Sequence, residues 1–275
     1  MTMSDLEKKF EKLYEMLLSF ESIMIAYSGG VDSTFLLAAA KKAPCISVLA
    51  VTAVSPLYPA HEIESAVKTA SLFEVKHITV ENSALSDKAF IKNAPDRCYV
   101  CKSRLFIKMK SLAADNNCSV VLDGTNADDA KTYRPGMRAL DELGIKSPLK
   151  DCGLTKAEIR ILSKRLGILT WDKPSCACLA SRFPYGVMLK EKDVLKVEKA
   201  EACIRKYIDG QFRVRHYADT ARIEVLSKDI QVFLDSSIRK AVIATFKDIG
   251  YTYVTLDMEG FRSGSMDEVL LKKEF

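Results

Sequence analysis

Residues 28–33, Ser-Gly-Gly-Val-Asp-Ser, gather two glycines, two hydroxyls and a carboxylate in six positions. Neighbouring glycines let backbone N–H groups close on an anion, and the serines add hydroxyl donors. A Walker A loop, G-x-x-x-x-G-K-[ST], needs a lysine to reach the terminal phosphates. No lysine stands there, and Asp32 stands in the loop instead. That composition suits a departing pyrophosphate whose charge Mg²⁺ offsets, rather than transfer of a terminal phosphoryl group. An ordinary glycine turn has the same letters, so the flanking elements must decide.

Two cysteine pairs form a second constellation, Cys98-Tyr99-Val100-Cys101 and Cys176-Ala177-Cys178. A C-x-x-C serves redox pairs, zinc knuckles or nothing, and the long gap between the pairs is not zinc-ribbon spacing. Soft thiolates supplied by two loops suit zinc or an iron–sulfur cluster. Arg97 and Lys102 flank one pair, Lys173 and Arg182 the other, and such cations are expected to lower thiol pKa. Cys45, Cys118, Cys152 and Cys203 sit in apolar or helix-surface contexts and read as packing residues.

Two further groups carry charge in a pattern. Asp123, Asp128 and Asp129 lie in or beside Gly124-Thr125-Asn126-Ala127, after an apolar run. Carboxylates beside a phosphate loop suit Mg²⁺, a hard cation; a polar turn capping the next helix is the other reading. In residues 212–216, FRVRH, Arg213 and Arg215 share one face of a strand, and Glu224 lies on the expected partner strand, RIEVL. Paired guanidiniums recognise phosphate or carboxylate, unless they form an exposed basic face. His61, His77 and His216 are lone histidines without an assigned role.

The elements that position these residues alternate. Residues 6–20 carry a helical apolar stripe, 22–27 an apolar strand, and the run after Ser33 a helix. Strands follow at 45–53, 75–80 and 119–122, with helices at 62–73 and 103–116 between them. Alternation of this kind implies right-handed crossovers and a parallel sheet with helices on both faces, an α/β fold. Ligands then sit beyond the carboxyl ends of the strands, which puts residues 28–33, the loop after Ala53 and residues 123–126 on one rim. The phosphate reading of the first loop rests on this strand-loop-helix setting.

Thr155–Glu158 has capping-box spacing, and its helix stops at Gly167. Residues 173–188 are irregular and bear the second cysteine pair. Beyond them, a helix at 190–208, strands at 212–216 and 222–226, a helix at 230–249 and a strand at 251–256 read as a smaller α+β domain. The expected organisation is residues 1–170, a connecting segment 171–188, and residues 189–275.

At 275 residues the chain can bury a sizeable core. No apolar run approaches the roughly 18 residues of a membrane span, and the charged start lacks the apolar centre of a signal peptide. The reading is a soluble, cytoplasmic chain whose eight cysteines do not imply disulfides. A formal charge of +5, from 41 Lys+Arg against 36 Asp+Glu, is compatible with phosphorylated substrates and weak for nucleic acid.

SGGVDS resembles the PP-loop of the ATP pyrophosphatases. With RCYVCK at 97–102, GTNADD at 124–129, PSCACLASRFPYG at 174–186, RVRH, RIEV and TLDMEGFRSGS at 255–265, the chain resembles the LarE family nearly end to end. That family comprises ATP-dependent sulfur transferases of nickel-pincer nucleotide cofactor biosynthesis. The resemblance implies adenylation of a carboxylate of pyridinium-3,5-biscarboxylic acid mononucleotide, release of pyrophosphate, and formation of a thiocarboxylate. It implies that Ser28, Gly29, Gly30, Asp32 and Ser33, with Gly124 and Asp128, hold ATP and Mg²⁺. Arg213 and Arg215, with Ser181 and Arg182, would hold the substrate nucleotide, and Glu224 would orient an arginine.

The family divides by sulfur source. One type sacrifices a cysteine, here Cys178, which becomes dehydroalanine. The other holds a [4Fe-4S] cluster on three cysteines, and Cys98 and Cys101, placed in a loop before a helix, point to Cys98, Cys101 and Cys178 as ligands. Cys176 could replace Cys178 or serve as a fourth sulfur. Sulfide or another sulfur donor would reload such a site, and a homo-oligomer is expected. Competing readings are a tRNA-thiolating PP-loop enzyme, an amidating one, and a nucleotide or metal sensor. The first lacks an RNA-binding module and a basic stripe, and the second has no use for a cysteine cluster.

Overall fold

The computed structural model describes residues 4–44, 46–129 and 135–271. Cys45, expected to be a packing residue, lies outside them. The chain divides into two compact units, residues 1–84 with 95–176, and residues 85–94 with 177–275.

The first unit is built on four parallel strands. Helix α1 (Asp5–Leu18), opened by a Ser4–Glu7 capping box, leads into β1 (Ser22–Ala26). Then come α2 (Val31–Lys42), β2 (Ser47–Val54), α3 (Ala60–Leu72) and β3 (Lys76–Glu81). After the excursion into the other unit, which contains the short helix α4 (Lys88–Ile91), α5 (Arg97–Asp115) precedes β4 (Val120–Leu122). Helices α6 (Pro135–Leu143), α7 (Pro148–Asp151) and α8 (Lys156–Arg165) complete it.

The strand order is β3-β2-β1-β4. The chain runs outward from β1 to β3 and then returns to pair β4 on the opposite side of β1. The topological switch point therefore falls between β1 and β4, where open parallel sheets form their ligand crevice. Residues on β1 alternate as period-two geometry requires. Ile23 and Ile25 join Leu13, Phe35, Leu149 and Ile159 on one face, while Met24 joins Leu49, Val51, Phe106 and Met109 on the other. Helix α2 is apolar nearly all round (FLLAAA), and its residues 33–40 are all buried, as such a pattern demands.

The second unit is α+β. Helix α9 (Glu191–Ile204) precedes the antiparallel pair β5 (Phe212–Tyr217) and β6 (Thr220–Val225), and α10 (Ser236–Ile249) crosses to β7 (Tyr253–Leu256), parallel to β6. A last short helix, α11, spans Glu268–Leu271. Buried Asn93, at φ +53°, donates to the Pro184 carbonyl at 2.8 Å, and its own carbonyl accepts from Gly186 N–H at 3.0 Å. That pairing ties residues 85–94 to the segment that follows the second cysteine pair.

Three boundaries differ from the sequence reading by four residues or more. Helix α5 begins at Arg97, not 103, so Cys98 and Cys101 lie in its first turns and not in a loop before it. The β-favouring letters of CYVC mislead there, because the helix buries Phe106, Met109 and Ala113 along one stripe, and that packing overrides propensity. The helix read at 230–249 is two elements, a 3₁₀ run Ser227–Leu234 and α10, separated by extended Asp235, whose carboxylate accepts from Ser237 and Ile238 N–H. Helix α9 ends at Ile204, four residues short of the expected end.

The second unit also buries charge. Arg182 and Glu201, with side chains 1% and 4% exposed, form a two-point pair at 2.8 and 3.0 Å. Glu201 also accepts from Val214 N–H on β5. Glu201→Gln leaves the guanidinium uncompensated in the interior, and the expected loss is about 3–5 kcal/mol, read from the urea unfolding midpoint. A loss within about 0.5 kcal/mol, the range of an ordinary surface substitution, would show that the pair does not hold this unit together.

Candidate active site

β1 ends at the switch point, and the chain turns there through Tyr27 and Ser28 into α2. Gly29 adopts φ +69°, and a Cβ on it would lie 2.7 Å from Ala66 Cβ of α3, so the loop needs both the left-handed backbone and the absent side chain. Gly30 is the helix cap and offers no side-chain acceptor. Among the described residues no protein acceptor takes the N–H groups of Gly30, Val31, Asp32 or Ser33. These are the orphan donors of a helix start, aimed at one place with the positive end of the helix dipole. Ser28 and Ser33 hydroxyls meet at 3.1 Å beside them.

The loop after β4 closes the other side. A Cβ on Gly124 would fall 3.0 Å from Ser33 N, so only glycine lets this backbone approach the start of α2. Asp123 is buried and satisfied within the fold, accepting from Thr125 N and Oγ1 and from Ser147 Oγ at 2.6 Å. Asp128 accepts from the backbone N–H of Lys156 at 2.9 Å, and Asp129 from Asn126 N–H. The three aspartates thus differ in role, which spacing left open.

Asp32 is the centre of charge. Its Oδ2 accepts from Lys156 Nζ at 2.7 Å and from Asn126 Nδ2 at 3.4 Å, while its buried Oδ1 has no partner among the described residues. Burial pushes its carboxyl above the usual range, Lys156 opposes that, and the charge of Asp129 adds to it. Two more lysines reach this region. Lys173 Nζ contacts Glu62 Oε2 at 2.6 Å, Gly29 O at 3.2 Å and Ser65 Oγ at 3.4 Å, and Lys102 Nζ lies 4.0 Å from Asp123. The loop lacks a Walker lysine, yet α8, α5 and the segment after α8 bring cations to it. Sequence reading missed Lys156 as a site residue; its position at the first turn of a capped helix was the available signal.

The first cysteine pair is attached to the same rim of the sheet. Cys98 is exposed and Cys101 half-buried, one helical turn apart on α5. Asn82, directly after β3, donates to Cys101 Sγ at 3.2 Å and to Tyr58 OH at 3.0 Å. Burial raises the Cys101 thiol, with Asn82 opposing and the neighbouring Cys98 adding, and the pull of Lys102 is minor. Cationic neighbours therefore do not lower this thiol as the sequence suggested, because desolvation outweighs them. Cys152 and Cys203 are buried and Cys118 half-buried, as packing residues are.

In the second unit Cys178 precedes a 3₁₀ turn, Leu179–Arg182. Arg182 NH1 donates to Ala177 O at 2.9 Å and to Ser181 Oγ at 2.8 Å, so this guanidinium folds the cysteine turn from inside the protein. Arg215 donates to Glu224 Oε2 at 2.7 and 2.9 Å, to Ser181 O at 2.9 Å and to Ser265 Oγ at 2.9 Å. Glu224 faces Arg213 in register but its carboxylate pairs with Arg215 and Arg222 instead. Arg213 is half-buried over the Phe261 ring. Cys98, Cys101 and Cys176 belong to the first unit and Cys178 to the second, and among the described residues no three His, Cys, Asp or Glu side chains converge as a metal centre would require.

The Asp32–Lys156 contact has a measurable signature. Lys156→Gln removes the charge that opposes burial, so the Asp32 carboxyl is expected to titrate at higher pH, followed by the ¹³C shift of its carboxyl carbon. Lys156→Arg restores the midpoint; an unchanged midpoint in Lys156→Gln would show that the contact does not set the charge of Asp32.

No family model matches the chain. It is 38% identical over 267 residues to an uncharacterized protein of Synechocystis, covering 97% of this chain and all of the relative. It is 35% identical over 279 residues to the pyridinium-3,5-bisthiocarboxylic acid mononucleotide synthase of Lactiplantibacillus plantarum, covering 99% of this chain and 98% of that enzyme. An uncharacterized protein of Methanocaldococcus jannaschii is 32% identical over 246 residues, covering 88% and 92%. With its end-to-end match to the Lactiplantibacillus synthase, the chain belongs to the LarE family.

Proposed function

We propose that this chain is an ATP-dependent sulfurtransferase that converts a carboxylate of pyridinium-3,5-biscarboxylic acid mononucleotide into a thiocarboxylate. The observation that carries the reading is the uncapped start of α2 at the switch point, with its orphan N–H donors and Asp32 beside them. A carboxylate is a poor electrophile, so it must first gain a leaving group. Its oxygen attacks the α-phosphorus of ATP and pyrophosphate departs into the cradle of Ser28, Gly29, Gly30 and Ser33. An anionic sulfur then attacks the acyl carbon and AMP leaves.

The donor set fits the expected metal groups in chemistry. Asp32 Oδ1, buried and without a partner among the described residues, is a hard oxygen suited to Mg²⁺, with Asp128 nearby through Lys156. Lys156 opposes the rise that burial imposes on the Asp32 carboxyl, and Gly124 lets the second loop close on the phosphates. Cys98 and Cys101, one turn apart, suit two ligands of a [4Fe-4S] cluster, with Cys178 as the third and Cys176 as an additional sulfur. Such a cluster would supply the sulfur for the attack, so that no cysteine need be consumed. Arg213 takes the substrate phosphate or carboxylate, Arg215 and Glu224 form the floor beneath it with Ser181, and Arg182 shapes the cysteine turn. Sulfide or a sulfur donor reloads the site, and the working form is a cytoplasmic homo-oligomer.

Anaerobically purified protein with ATP, Mg²⁺ and the biscarboxylate nucleotide is expected to release pyrophosphate and to form a thiocarboxylate, read by mass spectrometry. Gly29→Ala, which is strained and collides with α3, is expected to lose both. Pyrophosphate release without substrate dependence, or none at all, would refute the reading. Iron analysis is expected to give about four iron per chain, as one [4Fe-4S] centre contains, with loss in Cys98→Ala, Cys101→Ala and Cys178→Ala. No iron, together with dehydroalanine at Cys178 or Cys176 after one turnover, would replace the cluster by a sacrificed cysteine.

A further inference from the structure

Lys173 stands three residues before Cys176 and touches the phosphate loop. Its ammonium has three N–H donors and three partners: Glu62 at 2.6 Å, Gly29 O at 3.2 Å and Ser65 Oγ at 3.4 Å. The side chain is 18% exposed and Glu62 20%, so the contact is sheltered from solvent. The backbone of the same segment is held from a second direction, because Arg160 of α8 donates to Trp171 O at 2.9 Å and to Lys173 O at 3.0 Å. Chain geometry then keeps Cys176, three residues on, within about 11 Å of Lys173 along the backbone. Cys176 is exposed and belongs to the same compact unit as the loop.

The partner of Lys173 within the loop has a physical consequence. In a planar trans peptide the carbonyl and the following N–H point in opposite directions. With the Gly29 carbonyl drawn to Lys173, the Gly30 N–H is turned away from Lys173, toward the anion side of the loop. An anion accepting from Gly30 N–H polarises that peptide and makes the Gly29 carbonyl a stronger acceptor. Filling the loop therefore tightens its bond to Lys173. Resting on the ATP reading above, we propose that Lys173 is a positioning residue that couples occupation of the phosphate loop to the placement of the Cys176 segment.

The coupling is tested on the protein as purified by the rate of Cys176 alkylation with iodoacetamide, resolved from Cys178 by tandem mass spectrometry. Mg²⁺ with ATP is expected to slow Cys176 alkylation in the wild type by at least about 5-fold, the lower end of ordinary coupling between sites. In Lys173→Met and in Glu62→Gln, at saturating nucleotide and with an unchanged melting temperature, the change is expected to shrink below 2-fold, roughly the limit of no coupling on the same scale. Alkylated wild type is expected to bind ATP more weakly than unmodified protein, and alkylation of Lys173→Met is expected to leave its ATP affinity unchanged. If nucleotide slows alkylation equally in wild type and both variants, the coupling does not run through Lys173 and the inference falls. If wild type binds ATP by calorimetry yet Cys176 does not respond, the inference falls while the ATP reading stands. If wild type does not bind ATP, both fall.

Discussion

A helix start without a side-chain cap is the constraint that the first unit is arranged to meet. Helix α2 follows Gly30, whose carbonyl accepts from Thr34 N–H at 3.0 Å but which has no side chain to accept from the other first-turn N–H groups. Among the described residues these donors meet no protein acceptor. Keeping them oriented requires that α2 be immovable, and its burial on all sides between the sheet, α1 and α8 supplies that. The left-handed Gly29 against α3 and the close pass of Gly124 against Ser33 then bring two loops to the same helix end. A negative charge there is favoured by the helix dipole, yet Asp32 is desolvated, and Lys156 supplies the compensating charge.

The second unit uses arginine differently. Arg182 and Arg215 are buried and paired with Glu201 and Glu224, and both also donate to backbone carbonyls of residues 177–181. A buried ion pair is weak evidence for stability because desolvation offsets attraction. Its geometric effect is clearer: two planar guanidiniums, each fixed by a carboxylate, hold the backbone of the cysteine turn in one conformation. Arg213, on the same strand as Arg215 but packed on Phe261, is left with a different environment.

The first cysteine pair shows how burial changes a reading made from neighbours. Arg97 and Lys102 adjoin Cys98 and Cys101 in the sequence, and adjacency favours the thiolate. On a helix, however, adjacent residues face different ways, and Cys101 points inward to Asn82 and Tyr58 while Cys98 stays at the surface. Desolvation of Cys101 exceeds what Lys102 returns. A ligated metal or cluster would itself supply the positive charge that this buried thiol lacks.

The sequence by itself determined the α/β order of elements, the strand-loop-helix around residues 28–33, the common rim shared with residues 123–129, and the presence of two cysteine pairs. These are local quantities: periodicity, glycine placement and residue spacing are written in short windows of the chain. It placed Glu224 near the arginine strand but not its choice of Arg215 over Arg213, and it placed α5 and α10 with the wrong starts. Only the tertiary structure decided which cations reach residues 28–33, since Lys156 and Lys173 lie more than a hundred positions from them. It alone separated Asp123, turned inward to Thr125 and Ser147, from Asp32, one of whose oxygens has no partner among the described residues. The reason is that ion pairing and desolvation depend on distances through space, and those are set by how the sheet brings remote segments to its one carboxyl edge.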